Sequence, residues 1–422
     1  MPTLTPDERF EHVLSDVVQG AHLSPRKRAR DECRARNNQT CTLCLASHLT
    51  YASELLLKEQ ALEVFRATQL NEVRFDPLIP SAQGRAYRVV TKRKVFSHGR
   101  GVMLGLIDPE ERHAGGALPV AHCVIEPDAH RRLYAEVERG LAANPRSALS
   151  RRLRYVIVKG SYDEQLLTLS VTPAGPLPVR EANDLSHHLS ESCPGLAGVF
   201  LVEDRSEGRY YLPPEAALSG RVGIRKIFGR PNALIRVDGR TFLYPPGAFT
   251  QVNLAMADTL VETARGLLEP TGTATLYDLY CGYGLFALCL SASVRRVIAA
   301  EMSHVAVEAG LANARRQHVA NVRFHRADIT AETLRAIMPH AGPGDMVLLD
   351  PPRSGAASGV IEAIAARHVR RVVHIVCNID LLGRELSRWA RSRYRVKRVV
   401  PMDLFPGTSS LEMLVVLEPT TQ

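Results

Sequence analysis

Thr275-Leu276-Tyr277-Asp278-Leu279-Tyr280-Cys281-Gly282-Tyr283-Gly284 is a short apolar run that breaks into a turn with two glycines. Strands buried on both faces of a parallel sheet read as such runs. Glycines at the end of one let backbone approach a ligand where a side chain would block it. Glu301 follows Asp278 by 23 residues and ends the next apolar run. Working outward, a helix at 252–267 precedes runs near 275–280, 296–301, 321–326, 346–350 and 371–377, with helical segments between them. That alternation predicts an α/β fold built on a doubly wound parallel sheet. Residues 394–404 and 410–418 are two more strands. Their connection is too short for a parallel crossover, so they form an antiparallel hairpin at the sheet edge.

Gly282 and Gly284, with Ala287 three residues on, match a dinucleotide fingerprint, and Glu301 is placed to accept two ribose hydrogen bonds. These residues suit NAD and S-adenosylmethionine equally. Five parallel strands with a terminal hairpin are the pattern of S-adenosylmethionine methyltransferases. Leu348-Leu349-Asp350-Pro351-Pro352-Arg353 decides between the two. It ends the fourth strand, where open α/β sheets bind ligands. Two consecutive prolines hold the backbone extended and remove its amide donors, which suits a loop that holds a planar base beside a methyl donor. Cys377-Asn378 ends the fifth strand, at the neighbouring tip of the crevice. Carbon 5 of uracil is a poor nucleophile until a thiolate adds to carbon 6, which makes Cys377 a candidate nucleophile. Glu412 opens the last strand and is a candidate base for the proton on carbon 5.

The first half reads differently. Residues 7–18 carry Phe10, Val13, Leu14, Val17 and Val18 at helical spacing, and a helix near 52–67 places Leu55, Leu56, Leu62 and Phe65 on one side. From about 86 to 244 the pattern is β-rich, interrupted by helices near 127–143 and 181–190, which predicts an α+β unit. Tyr244-Pro245-Pro246-Gly247 reads as a hinge. Two domains are expected, 1–240 and 241–422. Cys33, Cys41 and Cys44 lie within twelve residues, and Cys123 follows. Four thiolates suit tetrahedral zinc or a [4Fe–4S] cluster, and spacing alone separates neither. Cys193, Cys281 and Cys289 are expected to be structural.

Lys and Arg number 53 against 44 Asp and Glu, a net charge of +9 that permits a polyanionic partner such as nucleic acid. The basic runs at 26–30 and 391–398 read as solvated faces. No apolar run reaches the ~18–20 residues a membrane span needs, and the first residues lack a signal-peptide core. Eight cysteines in 422 residues are too few for a disulfide framework. A cytoplasmic monomer is expected.

Asp278 to Gly284, Asp350 to Arg353, Cys377-Asn378, the Phe405 to Glu412 stretch and Phe249-Thr250-Gln251-Val252-Asn253 together resemble the RNA uracil-5-methyltransferase family. The resemblance covers about 250–412. It implies that Gln251, Tyr280, Glu301 and Asp350 contact S-adenosylmethionine beside Gly282 and Gly284. It further implies that Cys377 is the nucleophile and Glu412 the base. Cluster-bearing members carry cysteines in the same arrangement, so Cys33, Cys41, Cys44 and Cys123 would hold a [4Fe–4S] cluster in an RNA-binding central domain. The family's frequent N-terminal small β-barrel is not seen before Cys33, which favours ribosomal RNA over transfer RNA as substrate. Thr250, Val376, Ile379, Gly407 and Ser410 depart from the family pattern. A non-catalytic RNA-binding protein on the same fold is the alternative of a different class, and retention of both Cys377 and Glu412 argues against it.

Overall fold

The computed structural model describes residues 4–5, 8–21, 44–45, 49–70, 72–98, 101–107, 117–120, 123–204 and 224–420. Cys33, Cys41 and the basic run at 26–30 lie outside the described residues.

Two helices come first, α1 (Phe10–Gly20) and α2 (Tyr51–Gln69). Thr50 caps α2, its hydroxyl accepting from the Ser53 amide. Seven strands follow: β1 (Val90–His98), β2 (Gly101–Ile107), β3 (Ala117–Pro119), β4 (Leu153–Gly160), β5 (Gln165–Val171), β6 (Leu196–Glu203) and β7 (Arg225–Gly229). They form one sheet in the order β3-β2-β1-β4-β5-β6-β7. Between them run α3 (Asp128–Ala143), α4 (Ala148–Arg152) and α5 (Val179–Ser192). β5 and β6 pair in parallel, because α5 supplies the crossover that a parallel pair requires. Leu133 and Val137 of α3 and Leu185 and Leu189 of α5 pack on Val156, Leu167 and Leu169 of the sheet.

A two-stranded ribbon, β8 (Ala233–Val237) and β9 (Arg240–Tyr244), leads into the second half. Its Ile235, Val237 and Phe242 are buried with Leu260 and Val261 of α6 (Ala257–Leu268). The Tyr244–Gly247 turn, read as a hinge, is pinned. Tyr244 is buried and its hydroxyl donates to Ala248 O at 2.9 Å, while Lys159 of β4 donates to Pro246 O and Ala248 O at 3.0 Å each.

The elements then alternate: β10 (Thr275–Leu279), α7 (Leu285–Leu290), β11 (Arg296–Glu301), α8 (His304–Arg316), β12 (Val322–Arg326), α9 (Thr333–Ile337), β13 (Met346–Leu349), α10 (Val360–Ala365), β14 (Arg371–Val376), α11 (Leu382–Arg391), β15 (Tyr394–Met402) and β16 (Glu412–Pro419). The sheet order is β12-β11-β10-β13-β14-β16-β15. β10 to β14 run parallel, and β16 inserts antiparallel between β14 and β15. The fold is the expected α/β doubly wound sheet with a terminal hairpin. Strand order reverses between β10 and β13, and the crevice beyond their carboxyl ends is where such sheets bind ligands.

The N-terminal helices pack on one face of this sheet. Phe10, Leu14, Leu57 and Phe65 share a core with Leu279, Ile361 and Trp389, and the Phe10 and Phe65 rings meet edge to face at 5.8 Å. Leu56 departs from its expected place: it is 55% exposed. The buried stripe of α2 is Glu54, Leu57, Lys58, Ala61, Leu62 and Phe65. Helical period allows this face, and Glu54 and Lys58 can occupy it because they neutralise each other at 2.7 Å.

Candidate active site at the carboxyl ends of the parallel strands

The turn after β10 is built from left-handed backbone at Tyr280 (φ 64°), Gly282 (φ 54°) and Gly284 (φ 85°). A Cβ at Gly284 would strike the Phe324 ring at 2.7 Å, so this position requires glycine for packing as well. Above Gly282 a Cβ would meet open space, which leaves the crevice free on that side. Glu301, at the end of β11, accepts from the Gly282 amide at 3.3 Å and the Ser303 amide at 2.8 Å. Two amides orient its carboxylate and leave lone pairs for a polyol. The crevice is lined by Gln251, Tyr280, Gly282, Phe286 and Asp350, with Phe249 at its edge. Thus Gln251, Tyr280, Gly282 and Asp350 share one cleft, and Glu301 adjoins it through Gly282.

Asp350 is the last residue before Pro351-Pro352, and its amide donates to Leu279 O at 3.3 Å. Burial raises its carboxyl above the usual carboxylate range. Asp278 beneath the turn is buried, and neither carboxyl oxygen has a partner at hydrogen-bond distance among the described residues. Burial and the nearby Asp350 push it up to about 8, and the Ala287 amide, which points toward it without making a full hydrogen bond, offsets only part of that.

Register brings the two proposed reacting groups together. β14 pairs with β16 at Val373↔Val416, Ile375↔Leu414 and Val376↔Met413. One further step sets Cys377 opposite Glu412, where cross-strand side chains are near neighbours. Each also feels Asp350 and Arg353. Burial, then Glu412 and Asp350, push the Cys377 thiol up to about 12, with Arg353 opposing. Burial and Asp350 raise Glu412 well above the usual range, and its Oε2 has no hydrogen-bond partner among the described residues. The Cys377 sulfur lies 3.9 Å from Pro351 O, so the proline loop backs the thiol. Arg353 donates to Ser410 Oγ at 2.8 Å and ties that loop to the terminal hairpin.

Three residues gain importance that the sequence did not mark with a role: Asp278, Arg353 and Phe249. Phe249 is 68% exposed at the cleft. Its exposure leaves no trace in apolar periodicity, whereas the acidic character of Asp278 inside a buried strand was a visible signal.

Cys44 lies near enough to Cys123, 79 residues on, to bear on its thiol. The Cys123 thiol is half-buried and pushed up to about 12, by desolvation first, then Glu126, with Cys44 a further contributor. Glu126 pairs with Arg93 at 2.6 Å. Among the described residues no three ligating side chains gather as a metal site.

The family model described as tRNA (Uracil-5-)-methyltransferase matches residues 230–420. The match takes in the second sheet and a little under half of the chain. With the relatives that follow, it makes the chain a methyltransferase. It is 27% identical to an uncharacterized RNA methyltransferase of Geobacter sulfurreducens over 98% of this chain and 83% of that one. It is 38% identical to the 23S rRNA (uracil(1939)-C(5))-methyltransferase of Pseudomonas aeruginosa over 42% of this chain and 39% of that one. In structure it resembles the tRNA (uracil-54, C5)-methyltransferase of Pyrococcus abyssi solved with S-adenosyl-L-homocysteine. The TM-score there is 0.68 at 19% identity, covering 90% of this chain and 86% of that one. That likeness supports the fold. Among the described residues no helix is long and apolar enough to cross a membrane.

Proposed function

We infer that this protein methylates carbon 5 of a uridine in RNA, with ribosomal RNA of the large subunit as substrate. The observation that carries the reading is the cross-strand placement of Cys377 and Glu412 beside Asp350. The chemistry needs a thiol and a carboxyl on the same substrate ring, and this register supplies both. The partial match to a 23S rRNA enzyme favours ribosomal over transfer RNA.

The crevice fits S-adenosylmethionine. Open space above Gly282, the amide-oriented carboxylate of Glu301, and the rings of Tyr280 and Phe286 suit its ribose and adenine. When bound, it supplies the methyl group and a sulfonium charge. The chain's residues do the rest. Cys377 gives its proton to solvent water and adds through its thiolate to carbon 6, which makes carbon 5 nucleophilic. Once carbon 5 carries the methyl group, Glu412 takes the remaining C5 proton, and the carbon 6–sulfur bond breaks to release Cys377. Both groups lie above their ordinary range without substrate. In the free enzyme the thiol is neutral, and positive charge brought by bound ligands favours the thiolate and the carboxylate that the reaction uses.

Cys44 and Cys123, with Cys33 and Cys41, would hold a [4Fe–4S] cluster. The fit rests on Cys123, a half-buried thiol that feels a second cysteine, Cys44, and that a cationic iron cluster would accept as thiolate. The reaction consumes no electrons, so the cluster's work is to tie the N-terminal segment to the central sheet. Residues 1–240 would present the RNA-facing surface.

The test is a covalent adduct with RNA containing 5-fluorouridine. Fluorine cannot leave carbon 5 as a proton, so elimination stalls. Wild-type protein should give a band on a denaturing gel that Cys377→Ala abolishes. An adduct formed by Cys377→Ala removes the nucleophile assignment. Mapping 5-methyluridine in a deletion strain then names the RNA: loss from transfer RNA alone overturns the ribosomal reading.

A further inference from the structure

The segment Asp403–Gly407 leaves β15 and leads to Glu412, and every residue in it is held by a group from elsewhere in the chain. Lys58 Nζ lies 3.0 Å from Asp403 Oδ1 and 3.5 Å from Phe405 O. The Tyr51 hydroxyl donates to Asp403 Oδ2 at 3.2 Å, and Asn253 donates to Leu404 O at 3.1 Å. The Tyr87 hydroxyl donates to Pro406 O at 2.7 Å. The Gly407 amide donates to Glu54 Oε1 at 2.5 Å, and the Leu45 amide donates to Gly407 O at 2.8 Å.

Glu54 and Lys58 are fully buried and paired at 2.7 Å. Arg85 reaches the other Glu54 oxygen at 3.1 Å. With Asp403, two cations face two carboxylates, so the group is neutral as a whole. Burying three of these charges, Glu54, Lys58 and Asp403, is a poor way to gain stability, since well-packed apolar side chains of the same volume do as well or better. α2 does not need them to dock, because Leu57, Ala61 and Phe65 already bury its face. What the charges add is direction. Apolar contacts tolerate sliding, whereas a carboxylate that accepts one particular amide holds that amide in place. Gly407 is left-handed (φ 87°), so its amide and carbonyl are turned to meet Glu54 and Leu45. Leu45 directly follows Cys44, and Cys44 lies close enough to Tyr87 to bear on its hydroxyl.

We propose that the buried Glu54–Lys58 pair positions Glu412 by clamping Asp403–Gly407, and that the Cys44 segment joins the clamp through the Leu45–Gly407 hydrogen bond. Glu54 and Lys58 are positioning residues: they touch the loop that delivers the base. The proposal rests on the reading of Glu412 as the base that takes the C5 proton. It gives the N-terminal segment a part in the last chemical step, and it places the cysteine site one residue from that machinery.

The test separates the steps of a single turnover on the full-length protein with unmodified uridine RNA. Glu54→Ala should attack and methylate at close to the wild-type rate but release product about 10- to 100-fold more slowly, as misplacement of a reacting group costs. A methylated covalent complex should then appear on a denaturing gel. Glu54→Gln keeps an acceptor for the Gly407 amide and should recover most of the release rate. A variant that is merely less folded lowers every step in proportion, and that outcome overturns the proposal. Glu412→Gln is run alongside. If it traps no complex, the base reading has failed. If it traps the complex while folded Glu54→Ala releases product at the wild-type rate, the clamp alone has failed. Should Glu54→Ala not fold, Tyr87→Phe removes a single tether and should slow release about 3- to 10-fold, and wild-type release from it overturns the clamp.

Discussion

Cys377 and Glu412 lie one step beyond the last cross-strand pair of β14 and β16, in a site that also holds Asp350, and desolvation is the largest influence on how each ionises. A thiol at about 12 is almost wholly protonated at neutral pH. Alkylation of Cys377 by iodoacetamide in the free enzyme should therefore rise about tenfold per pH unit from pH 7 to pH 10 without levelling. An ordinary exposed thiol, near 8.5, would level off by then. A plateau below pH 9 would show that burial does not control this sulfur. Glu412→Gln keeps the shape of the side chain and removes the base. Attack on carbon 6 and methylation come earlier, so the variant should accumulate a methylated covalent complex on unmodified RNA. Loss of a positioned base costs ~10²–10⁴ in rate, enough to see the complex on a gel. Turnover near the wild-type rate would mean that water or another group takes the proton.

At the scale of elements, β10 carries a liability. Asp278 lies in the middle of a buried strand, and its carboxyl is pushed up to about 8 by burial and by Asp350. The unfolded chain releases that proton near pH 4. Between pH 4 and pH 8 the folded protein keeps a proton that the unfolded chain has lost. The contribution to stability is whole below about pH 4 and is lost as pH rises through 8. Asp278→Asn abolishes the titration, so its melting temperature should fall less between pH 5 and pH 8 than that of the wild type. Equal slopes for the two proteins would show that the group is not held neutral. That an acidic residue sits in a buried strand was plain from the sequence. That it faces a second carboxyl depends on β10 and β13 being neighbours, which is a property of the sheet.

Across the whole molecule, distant parts of the chain meet at the active site. α1 touches it through the Phe10 amide, which donates to Asp380 Oδ1 at 2.8 Å, just beyond Cys377. α2 holds the loop before Glu412, and Lys159 of the central sheet pins the turn before Phe249. In the proposed cluster, Cys33, Cys41 and Cys44 with Cys123 would join the N-terminal segment to the central sheet. Anaerobically purified protein should be brown and carry about four iron per chain, and Cys123→Ser should bleach it. Colourless protein with one zinc per chain would keep the thiolate set and change the metal.

Local residue order determined the parallel strands and the terminal hairpin, because a buried strand and a turn betray themselves within ten residues. The thiol and the carboxyl were visible too, since their places at strand ends follow from the strand boundaries. Leu56 on the surface and Glu54 with Lys58 in the interior could not be read that way. A helical pattern assigns its inner face by hydrophobicity, and two charged residues can share that face here because Lys58 meets Asp403, 345 residues away. The register that sets Cys377 against Glu412 was equally a matter for the tertiary structure. It requires β16 to enter between β14 and β15. The free energy of that choice lies in the sheet's long-range hydrogen bonds and the cores on its two faces, not in any local stretch of residues.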